Sequence, residues 1–417
     1  MKTQLKYAKT MIARQTDEAV DVLLEVTAPE IAGVERPALD VVAVIDRSGS
    51  MAGAPLAAVK DAVKQLIRFA GQNDRISVVV FDDEVETVLE LKHHDDVEAA
   101  IKAISRVRSG GSTNLSGGWL KAMQILVEHG RPDAIRRIIV LTDGHANVGL
   151  TSSEEFAPHV STARAGGITT SCIGFADGYD ENFLAAVADA GSGNDYWCAG
   201  SDQAARVFTQ EFEGLASVAS QNLEVTVSGT DAVRKIKVRH DFPTVDVDDR
   251  TKRVTMGDVY GGETRRLLVT FKVKPTDVLA PLDLGRIAVS WVSVVGEAVM
   301  HSVELPVAVT VLPTLDGIDD DGASREAIDM AERMRAERHR RLGREMADAG
   351  RFDDAAAMFT VAADSFNRLG LKDEVALLVA DVDSLRSSNW TLAQSKKQFS
   401  RSRGTAKGRR FDHDDEA

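Results

Sequence analysis

Cysteine is nearly absent from this chain: Cys172 and Cys198 are its two thiols in 417 residues. Each lies in an apolar stretch, which excludes a disulfide framework and leaves a pair of buried thiols in a reducing cytosol as the expectation. No zinc-ligand spacing occurs. Long apolar runs are missing too, and none approaches the roughly 18 residues that suggest a membrane span. The N-terminus, MKTQLKYAKTMIARQTDEAV, is basic but lacks the apolar core of a secretory signal. Positive charge is in deficit, with 50 Lys and Arg against 64 Asp and Glu and a net charge of −14. That balance argues against nucleic acid as the main ligand. P-loop, G-x-S-x-G, H-E-x-x-H and kinase motifs are absent, which sets a metal-dependent hydrolase behind a non-enzymatic binding role. What remains is ordinary globular composition, with 44% hydrophobic and 27% charged residues. The length favours two or three domains.

Residues 18–28, EAVDVLLEVTA, read as a strand. The run LDVVAVID at 39–46 is apolar almost throughout, as in a strand covered on both faces. Strand and helix patterns then alternate. RISVVVF (75–81), ETVLEL (86–91), RRIIVLTDG (136–144), TTSCIGF (169–175) and DYWCAG (195–200) read as strands. Helical spacing falls at 55–70, 95–107, 119–129, 153–165, 180–190 and 202–217, with a Gly-rich loop at 108–118. This alternation predicts an α/β domain over 39–217 with a doubly wound, mostly parallel sheet. From about 222 to 312 the pattern is period two, which predicts an antiparallel β-sandwich domain. The early strand 18–28 is a candidate member of that sandwich, with the α/β domain inserted. An acidic linker, TLDGIDDDG (314–322), lacks the glutamate of a calcium loop. Helices are expected at 323–348, 352–369 and 371–387, and residues 391–417 as a disordered tail.

The chemistry concentrates at Asp46-Arg47-Ser48-Gly49-Ser50, directly after the buried run 39–46. Ligands of open α/β sheets bind at the carboxyl ends of strands. Asp46, Ser48 and Ser50 alternate there, and Gly49 permits the tight turn. Carboxylate and hydroxyl oxygens are hard ligands that suit Mg²⁺ or Mn²⁺, with Ca²⁺ also open. Thr113, in GGSTNL, and Asp143, at the end of IIVLTD, stand at the same sheet edge. Arg47 is expected to be a solvated loop charge. Asn114 and Asp82 are expected in turns, His93 and His94 are scattered, and His145 borders the site.

D-x-S-x-S after an apolar strand, a Gly-rich loop with Thr, and T-D-G after a later strand resemble the three-part signature of von Willebrand factor A domains. The resemblance covers about 39–217 and matches at Asp46, Ser48, Ser50, Thr113 and Asp143. It implies that the three hydroxyls hold a divalent cation, that the two aspartates bind it directly or through water, and that a partner's Asp or Glu completes the shell. The resemblance thus implies a bridge between two proteins, in a scaffold or adaptor of the bacterial cytoplasm; an extracellular adhesin is the other reading the fold allows. The order of domains resembles inter-α-trypsin inhibitor heavy chains. Leu342, Gly343, Met346, Gly350, Phe352, Ala355, Phe359 and Ala362 resemble tetratricopeptide spacing; an ordinary helical hairpin satisfies the same pattern. Val375, Leu378, Val382 and Leu385 form a stripe suited to seal it.

Overall fold

The computed structural model describes residues 1–30, 37–143, 146–175, 179–198, 207, 211, 214, 217–294 and 299–406. The chain forms two compact units. One comprises Ile31–Gln221 and Val292–Val299; the other is discontinuous, comprising Met1–Glu30, Asn222–Trp291 and Met300–Ala417. The α/β segment therefore interrupts the second unit in sequence.

Three strands open the chain: β1 (Lys2–Tyr7), β2 (Met11–Ala13) and β3 (Glu18–Thr27). The first two were not expected, because the basic N-terminus is too short in apolar residues to show alternation. The α/β unit follows with β4 (Leu39–Asp46), α1 (Ala54–Phe69), β5 (Arg75–Phe81), β6 (Val85–Lys92), α2 (Val97–Ser105), α3 (Leu115–His129), β7 (Ile135–Thr142), α4 (Ser153–Ala165), β8 (Ile168–Phe175), α5 (Glu181–Ala190) and β9 (Ser192–Cys198). Its sheet runs in the order β6-β5-β4-β7-β8-β9. Only the β5–β6 hairpin is antiparallel. All eight residues of β4 and of β8 are buried, as strands covered on both faces require, although β8 carries the polar Thr169, Thr170 and Ser171. The expected helix 202–217 lies outside the described residues, save for positions 207, 211, 214 and 217.

The direction of winding reverses at β4, whose neighbours are β5 on one side and β7 on the other. Helix α3 starts four residues earlier than expected. Asn114 caps it by accepting from the Gly117 amide at 3.0 Å. Gly117 and Gly118 therefore belong to the first turn rather than to a loop. A Cβ on Gly118 would come within 2.6 Å of Phe81, so the glycine lets α3 press onto β5. Behind it, Trp119 meets Phe156 edge-on at 5.2 Å and donates to Thr170 Oγ1 at 3.0 Å.

Asp40, fully buried on β4, ties the amino ends of the strands together. It accepts from Arg75 Nε at 2.9 Å, from the Arg131 amide at 2.7 Å and from Arg131 Nη2 at 2.6 Å. Burial works to raise its pKa, but the hydrogen bonds from Arg75 and Arg131 outweigh it and hold the carboxyl below its ordinary range.

The second unit adds β10 (Val218–Gly229), β11 (Val233–Val238), β12 (Thr244–Asp248), β13 (Thr251–Tyr260), β14 (Thr264–Val273), β15 (Pro281–Ser293) and β16 (Val299–Leu312). Strand β10 begins before the expected boundary at 222 and continues through Asn222, which takes a positive φ of 55°. One sheet has the order β1-β3-β14-β11, the other β12-β13-β10-β15-β16-β2. Strand β3 pairs with β14 over its whole length, so residues 18–27 do belong to this unit. The β1–β3, β3–β14, β11–β14 and β12–β13 pairs are antiparallel and the β16–β2 pair is parallel, so the sandwich is not purely antiparallel. That pair uses only residues 310–312 of β16, which leaves Pro306 beyond the reach of β2. Asp320, from the acidic linker, accepts from the Thr10 amide at 2.6 Å and so serves as an anchor for the N-terminal strands.

Four helices close the unit: α6 (Arg325–Asp348), α7 (Phe352–Arg368), α8 (Lys372–Arg386) and α9 (Leu392–Ala406). Ala327 and Met334 of α6 pack on Leu23 and Leu268 of the four-stranded sheet. Further along α6, Gly343 admits the Phe359 ring, where a Cβ would meet it at 2.5 Å. Phe359, Ala362, Leu378, Val382 and Leu385 form one core, so the predicted stripe does seal the hairpin. Helix α9 corrects the expectation of disorder for 391–406; residues 407–417 lie outside the described residues. It escaped notice because its buried positions, Ser395, Lys396, Gln398 and Ser402, are polar. Ser395 donates to Asp348 at 2.8 Å, and Gln394 and Gln398 both bond Asp381.

Two substitutions check this packing. Phe359→Ala should lower stability by about 3–5 kcal/mol, read as a lower urea midpoint, because it empties the centre of the helical core. Asp40→Asn should cost about 1.5–3 kcal/mol at pH 7. Because its folded pKa is depressed, the contribution of Asp40 is present above its unfolded value of about 3.9 and lost as pH falls through the folded value. Urea titrations at pH 7 and pH 3 should show the wild-type advantage narrowing in acid.

Candidate metal centre

Asp46 is the last residue of β4, at the carboxyl edge where the sheet reverses direction. Its carboxylate is fully buried. Oδ1 accepts from the Ser48 amide at 2.8 Å and Oδ2 from the Thr142 hydroxyl at 2.5 Å. The next residues turn into a short 3₁₀ segment, Gly49–Met51, before α1. The turn places the Ser48 and Ser50 hydroxyls 3.2 Å apart. Ser50 in turn donates to Asp143 Oδ1 at 2.8 Å. Four of the five expected residues thus form one connected group: Asp46, Ser48, Ser50 and Asp143.

Thr113 arrives through its loop. The Gly49 amide donates to Gly111 O at 3.1 Å and the Gly110 amide to Arg47 O at 2.8 Å, which clamps the two loops together. Gly111 has a φ of 63°, and a Cβ there would strike Asp83. The Thr113 amide donates to Asn147 Oδ1 at 2.8 Å, and the Asn147 amide returns a bond to Thr113 O at 3.1 Å. Thr113 is buried, whereas Ser50 is exposed, so the group opens to solvent on the Ser50 side.

Burial raises the pKa of Asp46, and the charge on Asp143 adds to the rise against the hydrogen bonds from Ser48 and Thr142. Burial also raises Asp143, against its bond from Ser50. Neither carboxylate forms an ion pair among the described residues. Arg47 does not serve them: its guanidinium turns away to Asp82 at 3.0 Å and Glu86 at 2.9 Å. This corrects the expectation of a solvated Arg47, whose side chain is only 17% exposed. Two carboxylates facing a cluster of hydroxyls, with no cation of the protein's own, make a set of hard oxygen donors that fits a divalent ion. Among the described residues no three His, Cys, Asp or Glu side chains cluster as a metal site, so the hydroxyls are essential to any such group.

Asn114 caps α3 and Asp82 holds Arg47, so both support the loops. His93 and His94 do not approach the site. They lie in a cleft with Asp74 and Ile76, at the opposite end of β5. His145, expected to border the site, lies outside the described residues. Sequence reasoning missed Thr142 and Asn147. Thr142 adjoins Asp143 in the T-D-G motif, so a signal was available; Asn147 had none.

The family profile for the von Willebrand factor type A domain matches residues 40–212. Residues 40–212 are a von Willebrand factor type A domain. An uncharacterized protein from Synechocystis sp. is 28% identical over 239 residues, covering 55% of this chain and 56% of its own length. E3 ubiquitin-protein ligase WAV3 from Arabidopsis thaliana is 27% identical over 252 residues, covering 58% and 32%. Inter-alpha-trypsin inhibitor heavy chain H3 from Bos taurus is 32% identical over 152 residues, covering 34% and 17%. The chain thus spans about half the length of one of these relatives and a third or less of the others. Among solved structures, a von Willebrand factor type A protein from Catenulispora acidiphila superimposes with a TM-score of 0.72 at 20% identity, covering 90% of this chain and 88% of its own. The ArnB paralog VWA2 from Sulfolobus acidocaldarius gives 0.66 at 15% identity, covering 97% of each. These two share the fold well beyond the A domain.

The A domain's site carries a prediction about charge. Asp143→Asn keeps an oxygen for Ser50 and removes a buried negative charge. In EDTA at pH 7 the variant should melt a few degrees above wild type. A carboxyl held above its ordinary value destabilises the fold while ionised, so the gain should shrink as pH falls through the raised value and vanish near pH 4. Equal melting temperatures at pH 7 would count against burial as the cause.

Proposed function

We propose that this protein is a divalent-cation-dependent interaction module, a scaffold or adaptor that binds a partner's carboxylate through a metal held by Asp46, Ser48, Ser50, Thr113 and Asp143. One observation carries the reading: two buried carboxylates, pushed up by burial, converge through Ser50 and Ser48 with no basic group among the described residues between them. The oxygen donors favour Mg²⁺ or Mn²⁺. When bound, the cation supplies a positive centre able to take a carboxylate oxygen from outside the chain. The protein's own groups do the rest. Thr142 and the Ser48 amide fix the Asp46 carboxylate, Asn147 fixes the Thr113 backbone, and Ser50 links Asp143 to the exposed rim. Among the described residues two negative side chains face the site, so a third carboxylate from a partner is electrostatically welcome, where a neutral amide is less so. The role is non-enzymatic: among the described residues the site presents hydroxyls already bonded to carboxylates and no general base aimed at open space. We place the protein in the bacterial cytoplasm, in keeping with the buried thiols Cys172 and Cys198.

Calorimetry tests the first step. Wild type should bind Mg²⁺ or Mn²⁺, and Asp46→Ala and Asp143→Ala should lose most of that affinity while retaining their circular dichroism. A partner captured in Mg²⁺ should be released by EDTA, and changing its one critical Asp or Glu to the amide should abolish capture. Undiminished metal affinity in both alanine variants would overturn the assignment.

A further inference from the structure

The chain is acidic overall, yet β11 reads Val233-Arg234-Lys235-Ile236-Lys237-Val238 and continues into Arg239. This strand forms one edge of the four-stranded sheet. Its register puts Lys235 directly opposite Lys272 of β14, and Lys237 opposite Thr270. Like charges directly opposite one another destabilise a sheet, so the Lys235–Lys272 pair works against the fold as it stands. Arg239 joins the same face and donates to Thr270 Oγ1 at 2.6 Å. Arg338 of α6 adds a fifth charge. The Lys237 ammonium is held below its ordinary range by Arg239 first, then by burial, Lys235, Lys272 and Arg338.

Nearby acids are engaged elsewhere. Asp17 pairs with Arg234 at 2.8 Å, Glu18 with Lys9 at 2.5 Å, and Asp21 accepts from Thr270. Among the described residues, Lys235, Lys237, Arg239, Lys272 and Arg338 form no ion pair. The spacing of the first three is that of a strand face, alternate residues over about 14 Å. The backbone edge is open as well. The Arg239 amide donates inward to Leu268 O, so by strand alternation the Val238 amide points away from β14.

We propose that β11 and the basic face beside it dock an extended acidic segment of a partner protein, which adds as a fifth strand with Asp or Glu at alternate positions over Lys235, Lys237 and Arg239. Backbone bonds to the open edge supply affinity and the alternating carboxylates supply register. The net charge of −14 repels a long polyanion or an anionic membrane, whereas a short acidic strand meets only the basic face.

The test uses the full chain in EDTA, so that the metal centre plays no part. The probe is a fluorescein-labelled octapeptide of alternating Glu and Val, read by fluorescence anisotropy. It should bind, more weakly as salt rises, and the Lys235→Gln/Lys237→Gln double variant should bind about tenfold or more weakly. A Gln-Val peptide of the same length should not bind. A Glu-Val peptide N-methylated at alternate residues should also fail, since it keeps the charges and loses the strand bonds. Three results would overturn the proposal: no binding of the Glu-Val peptide, equal binding by the double variant, or undiminished binding of the methylated peptide. Binding of short duplex DNA or phosphatidylserine vesicles through the same lysines, without the peptide, would overturn it too and assign the face to that ligand.

Discussion

A carboxylate buried at the point where a parallel sheet reverses its winding is the constraint on which the A domain depends. Asp46 is placed there by β4, and its two oxygens are consumed in holding the next turn and the end of β7. That leaves the negative charge without a positive partner among the described residues. Leaving a charge in that state is costly unless something from outside offsets it. Hydroxyls surround it, and the adjacent Arg47 is tied off by Asp82 and Glu86. By contrast Asp40, on the same strand, sits at the amino end and is satisfied by two arginines. The two ends of one strand thus hold one carboxylate that two arginines satisfy and one that meets only an amide and hydroxyls.

The second unit follows a different logic. Its sheets are assembled from both sides of the A domain in sequence, and β3 must pair with β14 across more than two hundred intervening residues. Such pairing is expensive in loop closure, and the compact inserted unit shortens the effective separation. Helix α6 then joins two cores, covering Leu23 and Leu268 with one stretch and Phe359 with another. Charge is sorted across the same unit: the acids are spent on anchoring strands, as Asp320 does, while the lysines of β11 stand open.

Much of this was legible in the sequence, and the reason differs by element. The parallel sheet announced itself because β4, β5 and β7 are buried on both faces and so carry unbroken apolar runs, such as residues 41–45, 78–81 and 138–141. The residues Asp46, Ser48, Ser50 and Asp143 were legible because each stands at or just past a strand end, and Thr113 because it lies in a Gly-rich loop ahead of a helix. Other elements left no such trace. Strand β1 is too polar and β2, at three residues, too short to alternate visibly, and α9 buries serine and glutamine where a periodic reading looks for leucine.

By itself, the sequence determined which oxygens are available, that they lie at strand ends, and that the chain divides into an α/β part, a β part and a helical part. Local patterning is sufficient for that, since burial on two faces, one face or one stripe each leaves its own period. Only the tertiary structure decided that Ser50 reaches Asp143 across ninety-three positions, and that Thr142 rather than a basic group meets Asp46. It alone decided that Arg47 turns away, and that Lys235 faces Lys272 on an open edge. Those are contacts between distant segments, fixed by sheet order and register, and no short-range pattern encodes either.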